Sequence, residues 1–534
     1  EDKNGYMPAL VSEGIERRRG YGSGCNSPLL TSAISALEAN QFTVHTPMLD
    51  ICEEALALSD KNSIIRGEGY VLEGCREMVD SGNMPRIAEH HPDARGRIYQ
   101  SASRGPNGQS GDMARALLSS YGVCTNYDPA YVLELINAEV SDMFKGTDKQ
   151  YEACKRKALL YPVELLVDYN NGKNLKKPKP SAPWSNAKIL KKPYSFIVAM
   201  GLLDAIHKGD KPYIGMTFGL DMKCSGPSLG SLMLGDEATA KACGFSKTKV
   251  SDAYERAVEA LGIDGLTRAD VKKPYMGIYY GQSWAAFMDI GEFKDKDSGQ
   301  LIDLWFKLYP DGKPTKERAK WFHATIEESF GENTAAMRKL MKEYTFDTAN
   351  YATLLDDQVR YLMPDGLEVE VDYNYKVSIT GKRLSQHVRP VSVKIENDAG
   401  TSYLKKLTFS TEDLDLASQS RCSFVHNIQS SDAYLCRLIV HYAKAIGCSH
   451  IYSVHDAFRV TWADYDLLKH AIKLAMHQFL LKAGEIHREY FIGARKSLII
   501  DKDLPEIPKP LSKIDDYCIH DLVELMGETY FFDK

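Results

Sequence analysis

Two aspartates in this chain stand where an ionised carboxylate is costly to place. Asp221 ends the run "MTFGLD" and Asp456 follows "HIYSVH", so each falls at a strand edge or turn beside apolar residues. Taken singly, each reads as a turn or capping residue. Taken as a pair on separate strands, two carboxylates can hold two divalent cations about 4 Å apart. Such a clamp serves phosphoryl transfer: one ion lowers the pKa of an attacking hydroxyl, and the other neutralises a triphosphate and its leaving group. The segment "TRADVKKPYMGIYYG" at 267–281 carries the complementary charge. Lys272, Met276 and Tyr280 recur there at i, i+4 and i+8, with Arg268 four residues before Lys272. Pro274 lacks a backbone donor, which predicts that the regular helix starts near it and that Arg268 and Lys272 approach from a preceding turn. Cations at the entry of this face suit a triphosphate, and Tyr280 at its far end suits a sugar or base. The alternative reading is a surface basic cluster with a buried tyrosine.

The elements that must position these residues are partly legible. Helix-like apolar recurrence covers about 31–60, with Pro47 marking a fresh start. A helix is expected near "SGDMARALLSS", another at "YSFIVAMGLLDAIHKG", and helical material dominates to about 350. "LEVEVDY" at 367–373 and "RPVSVKIEN" at 389–397 alternate and predict a hairpin-like insertion. "SSDAYLCRLIVHYAKAIG" predicts a helix leading into "CSHIYSVHDAFRV"; the end reads as helix, a Pro-rich crossing at "LPEIPKPL" and a last helix with an aromatic tail. "RRRGYGSG" at 17–24 reads as a loop. Residues 171–193 carry seven lysines and four prolines. They read as a basic connector, either a solvated linker or a contact to a phosphate backbone.

Composition sets the outer bounds. At 534 residues the chain should form several packed lobes, and 44% hydrophobic with 26% charged residues is the balance of a folded protein. A net charge of −6 argues against nonspecific coating of nucleic acid but leaves room for a locally basic cleft. The apolar runs are too short for a membrane span, and no basic–apolar leader opens the chain. The 11 cysteines form no CxxC pair, which fits free thiols in an intracellular setting.

Six ordered motifs resemble the single-subunit, bacteriophage-type RNA polymerases, a family that includes the mitochondrial enzymes. "DMKCSGPSLGSLMLGD" at 221–236 is similar to the first palm motif, "RADVKKPYMGIYYG" at 268–281 to the fingers motif, and "VHDAF" at 454–458 to the second palm motif. "DARGRIY" at 93–99 resembles an Arg-Gly-Arg-x-Tyr element, "SFVHNIQSSDAYL" at 423–435 the segment with an active-site histidine, and "MPDGLEVEVDY" at 363–373 the stretch ahead of a specificity hairpin. The resemblance covers roughly residues 31–534.

It implies an α+β, right-hand polymerase fold with a β-stranded palm, mainly helical fingers and a reduced or absent thumb. The implied divisions are 1–90 for an N-terminal segment with thumb-proximal helices and 91–250 for the first part of the palm. Fingers with the hairpin-like insertion would take 251–422, and the second part of the palm with C-terminal helices 423–534. Asp221 and Asp456 would coordinate two Mg²⁺ ions. Lys272 would touch the phosphates of a ribonucleoside triphosphate, reinforced by Arg268 and Lys273. Tyr280 would close over the nucleotide, and His426 would approach its 2′-hydroxyl. Gly226 would allow close packing near the metals. Arg95 and Arg97 would bind the DNA template or the hybrid with the RNA product. Tyr254 resembles a tyrosine of the nucleotide-entry path, and reads equally as an ordinary aromatic of an amphipathic helix.

Three departures stand out. Pro274 and Asp432 replace residues that are commonly small and polar, and histidine, respectively. Only about 90 residues precede the Arg-Gly-Arg element, so promoter recognition and melting are expected to rest with a missing segment or an accessory subunit. The implied setting is phage-infected host cytoplasm, with mitochondria the alternative. Rival readings are a family A-like DNA polymerase, a primase-like enzyme, and a degenerate polymerase that only binds nucleic acid. "CSG" and "HDA" stand where the DNA enzymes usually carry Ser-x-x-Glu-Leu-Arg and His-Asp-Glu.

Overall fold

Prolines and short polar side chains set the first helix boundaries. In the computed structural model, which describes residues 27–524 apart from 61–62, 102–103, 173–188, 211–214, 223, 247–251, 289–299, 347–357, 372, 379–390, 397–401, 499, 501 and 516, Ser27 caps α1 (Pro28–Glu38) by accepting from Leu30 N–H at 3.1 Å. The loop at 17–24, most of the connector 171–193 and the aromatic tail lie outside the described residues. Pro47 stands in the first turn of α2 (Thr46–Leu58), as expected. The helical recurrence from 31 to 60 is nonetheless interrupted by β1 (Phe42–Val44). A strand forms there because Phe42 and Val44 are buried and the segment pairs antiparallel with a second strand, a non-local contact invisible in the window.

The chain continues through β2 (His90–Pro92) and β3 (Ile98–Gln100), a hairpin that presents the Arg-Gly-Arg turn. The helix expected near 110 is reduced to Asp112–Ala116, because the next residues form β4 (Leu118–Ser120), the partner of β1. Then come α3 (Pro129–Met143), α4 (Pro193–Lys208), β5 (Phe218–Asp221) and α5 (Ser225–Leu234). A helical stretch follows with α6 (Ala253–Leu261), α7 (Arg268–Tyr279), α8 (Lys316–Glu328) and α9 (Glu332–Phe346).

The two alternating runs are both strands but do not pair with each other. β6 (Val359–Leu362) pairs with β7 (Glu368–Val371). Beyond them, β8 (Asn374–Ser378), β9 (Val391–Glu396) and the long β10 (Ser402–Leu414) form a separate antiparallel sheet in the order β8-β10-β9. The expected hairpin is thus two units, because each alternating run finds a better-registered partner just outside the window that revealed it. After α10 (Leu416–Ala445), β11 (Ile451–Val454) and β12 (Ala457–Val460) form a tight hairpin, followed by α11 (Tyr465–Ser497) and α12 (Ile519–Glu524).

The long helices α10 and α11 pack along one another, and α9, α1 and α5 pack on α10. This apolar platform backs the antiparallel sheet β11-β12-β5, which sets Asp221 opposite Ala457 and so beside the turn that carries Asp456. No helix among the described residues is long and apolar enough to cross a membrane. The described cysteines are all free thiols.

His487 on α11 is fully buried, and neither ring nitrogen has a hydrogen-bond partner among the described residues. Burial therefore holds its pKa down to about 4. The unfolded value is about 6.5, so the neutral ring's contribution is intact above that pH and is lost as pH falls toward 4. His487→Leu should stabilise the protein at pH 7.5 by about 1–3 kcal/mol, since it removes unsatisfied buried polar atoms. Its advantage over wild type should widen below pH 6.5 by about 1.4 kcal/mol per pH unit. Urea unfolding of both proteins from pH 7.5 to 4.5 measures this; a constant gap would show that the imidazole does not titrate as argued.

Candidate active site

β5 ends at Asp221, which lies opposite Ala457, and Met222 N–H donates to Asp456 O at 3.3 Å. Asp456 stands in the two-residue turn between β11 and β12, the other turn residue being His455. His455 has φ 59°, a conformation that costs a non-glycine residue energy and that histidine tolerates better than most. Its ring meets Tyr99 edge-on, with centroids 4.9 Å apart, which ties this turn to the Arg-Gly-Arg hairpin. Cys224, three residues after Asp221, is also left-handed, at φ 52° and ψ 49°, where it caps the start of α5. Both aspartate-bearing segments thus carry a strained residue at the same place in the fold.

Solvent reaches Asp221, yet the surrounding protein desolvates it. That desolvation, with Asp456 adding to the push, raises its pKa to about 6, against the opposing charges of Lys272 and Lys192. Two carboxylates therefore share one site. Among the described residues no group of three or more His, Cys, Asp or Glu side chains stands ready for a metal. A donor set of two carboxylates, completed by substrate phosphates, is the kind that Mg²⁺ accepts. The residues fit such an ion.

The basic face comes from α7, and here the expectation about Pro274 is corrected. The helix does not begin near the proline; it runs through it, from Arg268 to Tyr279. Thr267 fixes the start, because its N–H (2.9 Å) and its hydroxyl (2.6 Å) both donate to the Asp270 carboxylate. Lys307 also pairs with Asp270 at 2.9 Å. An interior proline costs about 3 kcal/mol. That cost is offset by the buried Val271, Tyr275, Ile278 and Tyr279. Tyr275 and Tyr279 pack edge-on to Phe330, with centroids 4.9 and 5.1 Å away. Arg268, Lys272 and Lys273 are consequently helical residues, not turn residues.

The helix stops as sharply as it starts. Gln282 N–H donates to Gly277 O and Gly281 N–H to Ile278 O, the two bonds of a Schellman cap, with Gly281 at φ 88°. Tyr280 is the cap residue, and its hydroxyl lies against Gly226: a Cβ built on that glycine would stand 2.5 Å from Tyr280 Oη. The neighbouring Tyr279 hydroxyl donates to Gly226 O at 3.1 Å. Gly226 is therefore the seat of this helix end, which sharpens its expected role in close packing. Gly226→Ala should push the Tyr280 hydroxyl aside and lower catalytic efficiency about 10–100-fold, as expected for roughly 1 Å of misplacement. The urea midpoint should move little. Normal kinetics in a folded variant would contradict this seating.

The remaining expected residues divide into two sets. Tyr280 is raised above the ordinary phenol range by burial and then by Asp432, with Arg97 opposing and Asp456 adding, so these groups share one neighbourhood. Arg97 donates to Asp432 at 2.7 Å in a nearly buried ion pair, and burial raises the Asp432 carboxyl to about 6 despite that partner. Arg95 is held by Asp93, at 2.9 and 2.5 Å, and donates to Gln429 at 2.5 Å. Both arginines thus make protein contacts that the sequence reading did not anticipate. His426 is buried, bonds Tyr373 Oη through Nε2 at 3.2 Å, and is pushed down to about 4 by burial and then by Arg95. Arg268 pairs with Asp252, the cap of α6, and its guanidinium lies 5.0 Å from the Tyr254 ring, with Lys272 Nζ at 5.8 Å. Tyr254 itself is buried on α6. Lys273 is exposed on α7.

Sequence reasoning missed Lys192, Asp93, Gln429 and Tyr373 as members of this site. Lys192 was one lysine in a lysine-rich run, and only the start of α4 distinguishes it. Asp93 and Tyr373 lay inside quoted motifs but without assigned partners.

No family model matches the chain, and no curated protein is significantly similar to it. Among solved structures it is similar to the POL domain of Pol1 from M. smegmatis, solved in complex with DNA primer-template and dNTP, at 12% identity and a TM-score of 0.27. That match covers 66% of this chain and 64% of the other.

Proposed function

We propose that this chain is a DNA-templated RNA polymerase, with β5, β11 and β12 as the palm sheet and α7 as the principal fingers helix. The observation that supports this most is the β5–β12 register that sets Asp221 beside Asp456, with Lys272 near enough to lower the pKa of Asp221 and Tyr280 seated on Gly226. The reaction is attack of an RNA 3′-hydroxyl on the α-phosphate of a ribonucleoside triphosphate, with release of pyrophosphate. Asp221 and Asp456 would hold two Mg²⁺ ions, which when bound supply Lewis-acid stabilisation of the reacting phosphoryl group. Lys272, with Arg268 and Lys273 on the same helix, draws the triphosphate to the site and offsets its charge. Tyr280 covers the nucleotide from the helix end. His426, kept neutral by burial, offers a ring nitrogen toward the ribose.

The pair Arg97–Asp432 distinguishes this chain from the pattern it resembles. An aspartate at 432 gives Arg97 a fixed partner, so Arg97 acts from a held position beside Tyr280. DNA and nucleotides are the implied partners. RNA synthesis assayed on matched duplex, melted and single-stranded DNA templates tests the reading. Product on the open templates is expected, and the duplex arm shows whether melting needs a separate factor. Failure on all templates with Mg²⁺ and all four ribonucleotides would contradict it.

A further inference from the structure

A small open cleft is lined by Arg115, Lys192 and Arg459, together with Ser195, Thr217 and apolar residues including Met216. Its lining carries three cationic side chains and no carboxylate. Two acids lie close to these cations without lining the pocket. Asp112 accepts from Tyr194 N–H at 2.9 Å and from Ser195 Oγ at 2.5 Å, and Glu139 accepts from Gly219 N–H at 2.6 Å and from Arg459 at 3.4 Å. Arg459 is also fixed by Thr217, through its hydroxyl at 3.1 Å and its carbonyl at 2.5 Å. Arg115 is the contrast: its Nε is buried with no hydrogen-bond partner. Burial and then the adjacent Arg459 disfavour its charge, with Asp112 and Glu139 offsetting part of that. Two guanidinium groups lining one cavity, one of them with an unsatisfied donor, offer charge-assisted hydrogen bonds to an incoming anion.

The pocket's place relative to the aspartates decides which anion. Arg459 lies opposite Gly219 on the sheet, two residues back along β5 from Asp221, or roughly 7 Å at strand spacing. Residues two apart on a strand share a face, so Arg459 and Asp221 stand on the same side of the sheet. The pocket thus opens at the start of β5, whereas α7 and Gly226 lie beyond its end. Two phosphate-bearing reactants meet at Asp221 in the proposed reaction, and the cations of α7 serve the triphosphate.

We propose that Arg115, Lys192 and Arg459 form a phosphate-binding subsite that takes a backbone phosphate of the growing strand just behind its 3′ end. This rests on the polymerase reading above. The shared chemistry is a phosphate oxyanion in a basic pocket, and released pyrophosphate is the other possible source.

The test uses the full chain and a fluorescently labelled RNA primer on a longer DNA template, with Arg115→Gln, Arg115→Lys and Lys192→Gln. Binding is measured by anisotropy over a series of salt concentrations, and folding by urea midpoint. Arg115→Gln and Lys192→Gln should each weaken primer–template binding about 10-fold and reduce the salt slope by about 1, as expected for one lost phosphate contact. KM for the nucleotide should stay within about 2-fold in Arg115→Gln, and Arg115→Lys should recover most of the slope. If the wild type binds and extends the primer while both Gln variants match it, the subsite is wrong and the polymerase reading stands. If only inhibition by inorganic pyrophosphate weakens, the strand assignment is overturned. A wild type that neither binds nor extends the primer overturns both readings.

Discussion

Asp221→Asn and Asp456→Asn should each reduce primer extension by about 10³-fold or more while leaving the protein folded. Several kcal/mol of transition-state stabilisation depend on carboxylate-held ions in sites of this kind, and each 1.36 kcal/mol is a factor of ten in rate. The fold should tolerate the change, because the two carboxylates disfavour each other: Asp456 adds to the desolvation that raises Asp221. Removing one charge relieves that repulsion, so the melting temperature in EDTA should be unchanged or higher. A second readout does not depend on turnover. Mg²⁺ should raise the melting temperature of the wild type, since an ion that binds the folded state alone stabilises it by mass action. That increment should be lost in either variant. A folded variant that extends at near the wild-type rate, or keeps the full Mg²⁺ increment, would remove that aspartate from the site.

Lys272→Ala is expected to have the next largest effect. Lys272 is exposed on α7, lies beside the Tyr254 ring and lowers the pKa of Asp221 through space, so its charge projects into the site without serving a buried contact. Loss of one preorganised electrostatic donor costs about 10²–10³ in rate. The fall should appear in kcat/KM for the nucleotide, with primer–template affinity changed by less than about 3-fold, because one exposed charge among many carries little of the binding. Equal losses in both quantities would assign Lys272 to the nucleic acid instead.

How much of this was legible in the sequence depends on how local each determinant is. Asp221 and Asp456 could be picked out because the apolar runs before them are contiguous, and those runs are strands. The face of Lys272 and Tyr280 was legible for the same reason. Pro274 misled the reading because a single breaker was weighed above the two caps, although "TRAD" and "YG" spell them in the sequence. The pairing of β7 with β6 and of β9 with β10 was not legible, because register is a property of two segments and only one of each pair alternated clearly. Asp432 was visible as a departure, but Arg97, its partner, is 335 residues away. The cationic pocket draws on residues 115, 192 and 459, which no sequence window joins. Placement set by short runs could be read; placement assembled across the fold could not.

The choice of sugar tests the central claim most directly. Tyr280 and His426 are the two groups proposed to sense the 2′-hydroxyl, and a site built around a hydroxyl penalises the analogue that lacks it, because a polar partner is left unpaired. The measurement is kcat/KM for a matched ribonucleotide and deoxyribonucleotide, incorporated opposite the same template base by wild type and by Tyr280→Phe. The wild type is expected to favour the ribonucleotide. The phenylalanine variant should keep catalysis and lose about 5–150-fold of that preference, the equivalent of one buried hydrogen bond of roughly 1–3 kcal/mol. An unchanged preference in the variant would remove Tyr280 from sugar recognition, and a wild type that favours the deoxyribonucleotide would contradict the assignment as an RNA polymerase.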